Sequence, residues 1–286
     1  MVKAILKLSL LASICLLNNS YAQTEDIKGY TTEKAALVQG GFVRGQYQSC
    51  VSVTVKDTQT EQTGQCTDDG HFLIGFGRDA DTKQTLIFET TSGQKAFTVE
   101  IKKRTYKTDK ITGVPQKTVT PPDSVLARIR SENEKIWVAR HHKTPRRDFL
   151  SDFIWPAQGR ISGVYGSQRI FNGTPKRPHY GLDIAAITGT KVIAPAAGIV
   201  RLVHNDMFYS GGTLIVDHGF GITSTFIHLS KIDVIEGQII KQGEKIAEIG
   251  QSGRASGPHL DWRINWFNVR LDPKLWLEDG GNLPPK

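Results

Sequence analysis

Residues 191–228 read KVIAPAAGIVRLVHNDMFYSGGTLIVDHGFGITSTFIH. Four short apolar runs lie in this stretch: Lys191–Pro195, Gly198–Val203, Thr213–Asp217 and Thr223–His228. Glycine-bearing turns separate them, and none shows the sustained 3.6-residue period of an amphipathic helix. The same texture continues through Ile246–Ile249 and Leu260–Asn265. This predicts an antiparallel all-β domain over residues 151–286, rich in tight turns.

Upstream, residues 40–108 are β-like as well. Val51, Val53 and Val55 alternate with polar residues, and Phe72 with Ile74, Leu86-Ile87-Phe88 and Phe97, Val99, Ile101 follow. Asp68-Asp69-Gly70 and Ser92-Gly93 mark turns between them, so a small sandwich is expected. Asp68, Asp69, Asp79 and Asp81 read as turn acids rather than a calcium site. Residues 109–150 form a connector. Within it, Ser124 to about Arg140 has helical spacing, with Val125, Ile129, Ile136 and Trp137 as the apolar stripe. The basic cluster Arg140-His141-His142-Lys143 reads as a solvated face, because adjacent histidines on a helix point in different directions. The fold class is therefore mainly β, with a helical connector between two β domains.

Residues 1–22 have the make-up of a secretory signal peptide: Lys3 and Lys7, an apolar stretch Leu8–Leu17, and Ser20-Tyr21-Ala22 before Gln23. Cys15 sits in poor context for lipid attachment. A soluble exported protein is expected, placed in the periplasm. The full chain carries 36 Lys+Arg against 28 Asp+Glu, a net +8. Removing the leader's two lysines leaves 34 − 28 = +6. Export argues against nucleic acid as the partner and leaves an anionic envelope surface or plain solubility. Two cysteines remain, Cys50 and Cys66, and an even count in an oxidising compartment suggests a disulfide rather than two buried thiols.

The chemistry concentrates in the second domain: His179-Tyr180-Gly181-Leu182-Asp183, His228 and His259-Leu260-Asp261. Imidazole and carboxylate are the donors of a catalytic zinc, which takes three protein ligands and keeps one open position. His259 and Asp261 are i and i+2, so on a strand they leave one face together. The glycine-rich stretches Tyr209–Gly212 and Gly250–Gly257 fit neither a P-loop nor a dinucleotide fingerprint and read as groove walls. His218 reads as structural, His204 as surface, and Trp262 and Trp266 as core; Tyr180 is a groove candidate.

Taken together, five stretches resemble the lysostaphin-type, LytM-like zinc metallopeptidases. They are Arg177–Ile184, Ala194–Val200, Phe226–Ser230, Val234–Gly243, and Gly250–Leu260 running into Asp261. Ile111–Gln116 also resembles the connector of exported bacterial members that carry an N-terminal β domain. The resemblance implies a zinc endopeptidase that hydrolyses peptidoglycan peptide cross-links. It implies His179 and Asp183 as zinc ligands, and His228 and His259 as the histidines that orient the water and steady the oxyanion. Asp261 departs from the pattern, which has a second His there as the third ligand; a carboxylate is a competent substitute. The alternative is a non-catalytic relative that activates a cell-wall amidase through protein contact. Peptidoglycan, with other cell-wall enzymes, is the expected partner.

Overall fold

The computed structural model describes residues 30–113 and 119–278. The expected leader (1–22) and connector residues 114–118 lie outside them. The C-terminal half is built on one antiparallel sheet. Its order is Ile239–Ile240, Gly198–Met207, Gly211–Gly219, Ile222–Ile232, His259–Trp266, Leu182–Ala185 and Arg160–Gly163. Gly211–Gly219 is buried at every residue. That explains why Thr213–Asp217 reads as a solid apolar run and not as an alternation. Phe220 and Gly221 form the two-residue turn into the next strand, both at positive φ (51° and 84°), as such hairpin loops require. A phenylalanine is costly there; its ring packs on Phe149, 5.2 Å between centroids.

The N-terminal half is two facing sheets. One holds Thr31–Ala35, Phe42–Gln46 and His71–Gly75; the other holds Glu61–Gln65, Cys50–Lys56, Lys83–Thr90 and Gly93–Glu100. Phe72 meets Phe88 edge to face between them, centroids 4.8 Å apart. Cys50 and Cys66 are disulfide-bonded across 16 residues, a loop closure that stabilises by about 3 kcal/mol.

Two boundaries fall elsewhere than the sequence suggests. The β unit begins with Thr31–Ala35, ahead of residue 40. Thr108–Ile111, at the start of the expected connector, pairs in parallel with Gln168–Phe171 of the C-terminal half. One apolar cluster runs through both halves, with Phe42 stacked on Trp276 at 4.3 Å.

The connector helix spans Leu126–Arg140 and follows a 3-10 turn at Asp123–Val125. It rests on the Gly198–Met207 and Gly211–Gly219 strands. Its buried residues are Glu132, Ala139 and Arg140, while Trp137 is half exposed. The stripe is nonetheless on the packed side: Val125, Ile129 and Ile136 are half-buried, Ile136 against Ala139, Leu202, Met207 and Ile215, and only Trp137 falls outside it. Polar anchoring adds to it: the Glu132 carboxylate accepts from the Phe208 backbone N–H at 2.9 Å and from Arg128 Nε at 2.7 Å. Among the described residues no helix is long and apolar enough to cross a membrane.

Candidate metal centre and groove

Sheet register places the cluster. Asp183 stands opposite Asp261 on one side and opposite Gly163 on the other. Asp261 in turn stands opposite Ile227, the neighbour of His228. A Cβ at Gly163 would sit 2.2 Å from Asp183 Oδ2, and one at Gly181 would sit 2.0 Å from Asp261 Oδ1. Both glycines are needed because the two carboxylates press against bare backbone. His228 adopts φ 66° inside its strand. That left-handed residue breaks the two-residue alternation, so Ile227 and His228 both face the groove.

His179, Asp183 and Asp261 are all buried and offer donor atoms within 4.8 Å of one another. His179 Nε2 is 2.9 Å from Asp183 Oδ1 and 3.3 Å from Asp261 Oδ2. The other ring nitrogen, Nδ1, donates to the Val164 carbonyl at 3.2 Å. In the neutral ring Nε2 is then a bare lone pair facing two carboxylate oxygens. Asp183 Oδ1 is buried and has no hydrogen-bond partner. Three electron-rich atoms meeting out of water require a cation or a proton among them. Burial opposes charging His179, but Asp183 and Asp261 outweigh it and hold the imidazole above its ordinary value. Donors of a tetrahedral site with bonds of about 2.0–2.2 Å stand about 3.3–3.6 Å apart; the distance from His179 Nε2 to Asp261 Oδ2 falls in that range and the one to Asp183 Oδ1 is shorter. The donor set fits zinc.

Two guanidiniums support the carboxylates. Arg263 grips Asp261 with a fork, Nε to Oδ1 at 2.9 Å and Nη2 to Oδ2 at 2.6 Å. Arg169 Nη2 donates to Asp183 Oδ2 at 2.7 Å. Against the burial penalty, Arg263 and His179 keep Asp261 well below the usual carboxylate range. His179 and Arg169 likewise keep Asp183 low. Arg263 was legible in part, since it follows Asp261 at i+2 and shares its strand face. Arg169 carries no such signal.

The two remaining histidines lie beside the cluster, ring centroids 4.7 Å apart. His228 Nδ1 donates to the Ser252 carbonyl at 2.7 Å, and His259 Nδ1 to the Gly257 carbonyl at 2.8 Å. His259 Nε2 is 4.0 Å from Asp183 Oδ1. Burial, then the neighbouring His259, push His228 down to about 4. It is neutral near pH 7, and its Nε2 is an acceptor.

The other residues singled out in the sequence lie apart from this cluster. His218 is fully buried and bonded to Ala197 O and Ser224 Oγ. His141 stacks on Trp137. Trp262 and Trp266 are core residues. Tyr180 lines the groove.

Residues 177–273 match Peptidase family M23. This domain belongs to peptidase family M23. The peptidoglycan DD-endopeptidase ShyA of Vibrio cholerae is 35% identical over 106 residues, covering 37% of this chain and 24% of that protein. The murein hydrolase activator NlpD of Escherichia coli is 29% identical over 128 residues, covering 45% of this chain and 32% of that protein. The chain thus spans about a quarter of the first of these curated relatives and about a third of the second. The crystal structure of a peptidase M23 candidate from Pseudomonas aeruginosa superposes with a TM-score of 0.67 at 26% identity, over 86% of this chain and 96% of that one. Its likeness therefore reaches past the M23 domain into the upstream β unit.

Proposed function

We propose that the protein is an exported zinc metalloendopeptidase that hydrolyses peptide cross-links of peptidoglycan in the periplasm. The observation that carries this reading is the convergence of His179, Asp183 and Asp261 on one point, with buried Asp183 Oδ1 left without a hydrogen bond. These three side chains would hold the ion. When bound, zinc supplies Lewis acidity, which polarises a carbonyl and acidifies a water. Arg169 and Arg263 keep both carboxylates ionised and aimed. His228 and His259 each spend Nδ1–H on a backbone carbonyl, so each offers Nε2 as a proton acceptor. Either can take a proton from the attacking water and return it to the leaving amine. The similarity to a DD-endopeptidase over this domain supports the substrate class.

The second reading is a regulator of a cell-wall amidase that keeps the fold. One observation favours it: the Arg263 fork already balances the charge of Asp261. The similarity to a murein hydrolase activator points the same way. Digestion of purified sacculi, with and without a chelator, separates the two. The endopeptidase reading expects cross-linked muropeptides to be cut, the cut to vanish with chelator, and near-stoichiometric zinc to be lost in Asp261→Ala. Intact sacculi, together with metal-free protein that stimulates an amidase, would establish the regulator instead.

A further inference from the structure

Seven of the side chains lining the groove are Arg or Lys, against one carboxylate, that of Asp261. Two of the guanidiniums, Arg263 and Arg169, are spoken for by Asp261 and Asp183. Arg140 and Arg270 are not: among the described residues, neither has a carboxylate partner. Arg140 enters from the last turn of the connector helix and is only 6% exposed. Its Nη2 donates to the Thr225 hydroxyl at 3.2 Å, and its Nε has no hydrogen-bond partner. Arg270 lies over the ring of Tyr180, 5.1 Å from the centroid, and Tyr180 directly follows His179.

Such an arrangement is unfavourable in an empty groove. Burial, then the like charge of Arg270 and Arg263, hold Arg140 well below its ordinary value. Burial and Arg263 bring Arg270 down to about 10. Arg140 is buried with a free Nε–H and Arg270 is half-buried, and guanidiniums so placed without a carboxylate partner are relieved by an anion that accepts from them. The groove, about 660 Å³, also contains His179, Asp261 and His228, so that anion would lie next to the reacting centre.

We propose that Arg140 and Arg270 form a subsite that captures a carboxylate of the peptide substrate beside the metal cluster. This rests on the peptide-hydrolase reading of the same groove. Two chain segments build the subsite, the connector helix and the strand Val269–Leu271. The connector is thereby part of the binding surface and not merely a spacer. A guanidinium fork accepts carboxylate and phosphate alike, and the test separates the two.

The experiment measures equilibrium binding by calorimetry to the full chain in chelator, so that hydrolysis plays no part. The probes are a short peptide with a free C-terminal carboxylate and an acidic side chain, the same peptide with both carboxylates amidated, and inorganic phosphate. The free-acid peptide is expected to bind at least tenfold tighter than the amidated one. Arg140→Met and Arg270→Met are each expected to weaken it at least tenfold, and Arg270→Lys to restore part of the loss. Near-UV circular dichroism selects variants that are folded; the Arg270 pair keeps the test open if Arg140→Met is not. Equal binding of the two peptides, or folded variants with unchanged affinity, would overturn the subsite. Phosphate binding as tightly as the free-acid peptide would also overturn it, in favour of a phosphate-bearing ligand. Intact sacculi alongside carboxylate-selective binding would remove the hydrolase reading and leave the subsite standing.

Discussion

Asp261 has two claimants, a cation shared with His179 and Asp183, and the fork of Arg263. A carboxylate can serve both, because each oxygen has two lone pairs. The balance between them is measurable. Removing one partner of a buried ion pair leaves an uncompensated charge and costs about 3 kcal/mol or more. Arg263→Gln should therefore destabilise the chelated protein by about that amount in urea unfolding. With zinc added, the loss should shrink, because the ion supplies the missing positive charge to Asp261. An equal loss with and without zinc would show that Asp261 does not face the ion. The cluster was legible at this scale because imidazole and carboxylate donors come at motif spacing. The other guanidiniums were not. Arg140, Arg169, Arg254 and Arg270 are scattered along the chain, and each alone reads as a solvated surface residue. Only register and tertiary packing gather them.

Among the elements, the three strands at the centre of the sheet are pinned by a buried neutral histidine. His218 Nδ1 donates to the Ala197 carbonyl at 2.6 Å, so Nε2 must accept from the Ser224 hydroxyl at 2.8 Å. Burial pushes His218 below its ordinary value, and His228 lies at about 4. In the unfolded chain both titrate near pH ~6.5. Below that pH the unfolded state binds protons that the native state refuses, so stability present at neutral pH is lost as pH falls toward about 4. For His228 the gap is about 2.5 units, or roughly 3 kcal/mol at full effect. Urea midpoints between pH 7 and pH 4 should fall for the wild type and fall less steeply for His228→Gln. Parallel curves would show that His228 is not held neutral by the fold. The strands themselves were legible from apolar runs between glycine turns. The helix face was legible in part: Val125, Ile129 and Ile136 follow the apolar spacing, but Glu132 and Arg140 are buried on the same side, and hydropathy spacing assigns charged residues to solvent.

Over the whole molecule, the sequence suggests two β domains on a connector, whereas the apolar cluster is continuous across them. The seam is tight. A Cβ at Gly64 would lie 2.8 Å from the Trp266 ring, and one at Gly75 would lie 2.6 Å from Leu271. Arg44 Nη1 crosses to the carbonyls of Phe149 and Ser151, at 3.2 Å each, and Arg104 pairs with buried Asp272 at 2.8 Å. Contacts between the halves cannot be read from composition, because each half carries enough apolar sequence to close a core by itself. If the seam couples the halves, the protein unfolds as one cooperative unit. All five tryptophans lie at or beyond Trp137, so their fluorescence reports the C-terminal half and, through Trp266 and Trp276, the seam against it. Phe88 is fully buried in the N-terminal sandwich, against Tyr30, Tyr47, Phe72 and Phe97. Phe88→Ala should cost about 3–5 kcal/mol. The tryptophan-detected midpoint should then drop together with the far-UV circular dichroism midpoint, although no tryptophan touches residue 88. A tryptophan transition that stays in place while the circular dichroism curve splits would mean that the N-terminal sandwich folds independently of the groove it adjoins.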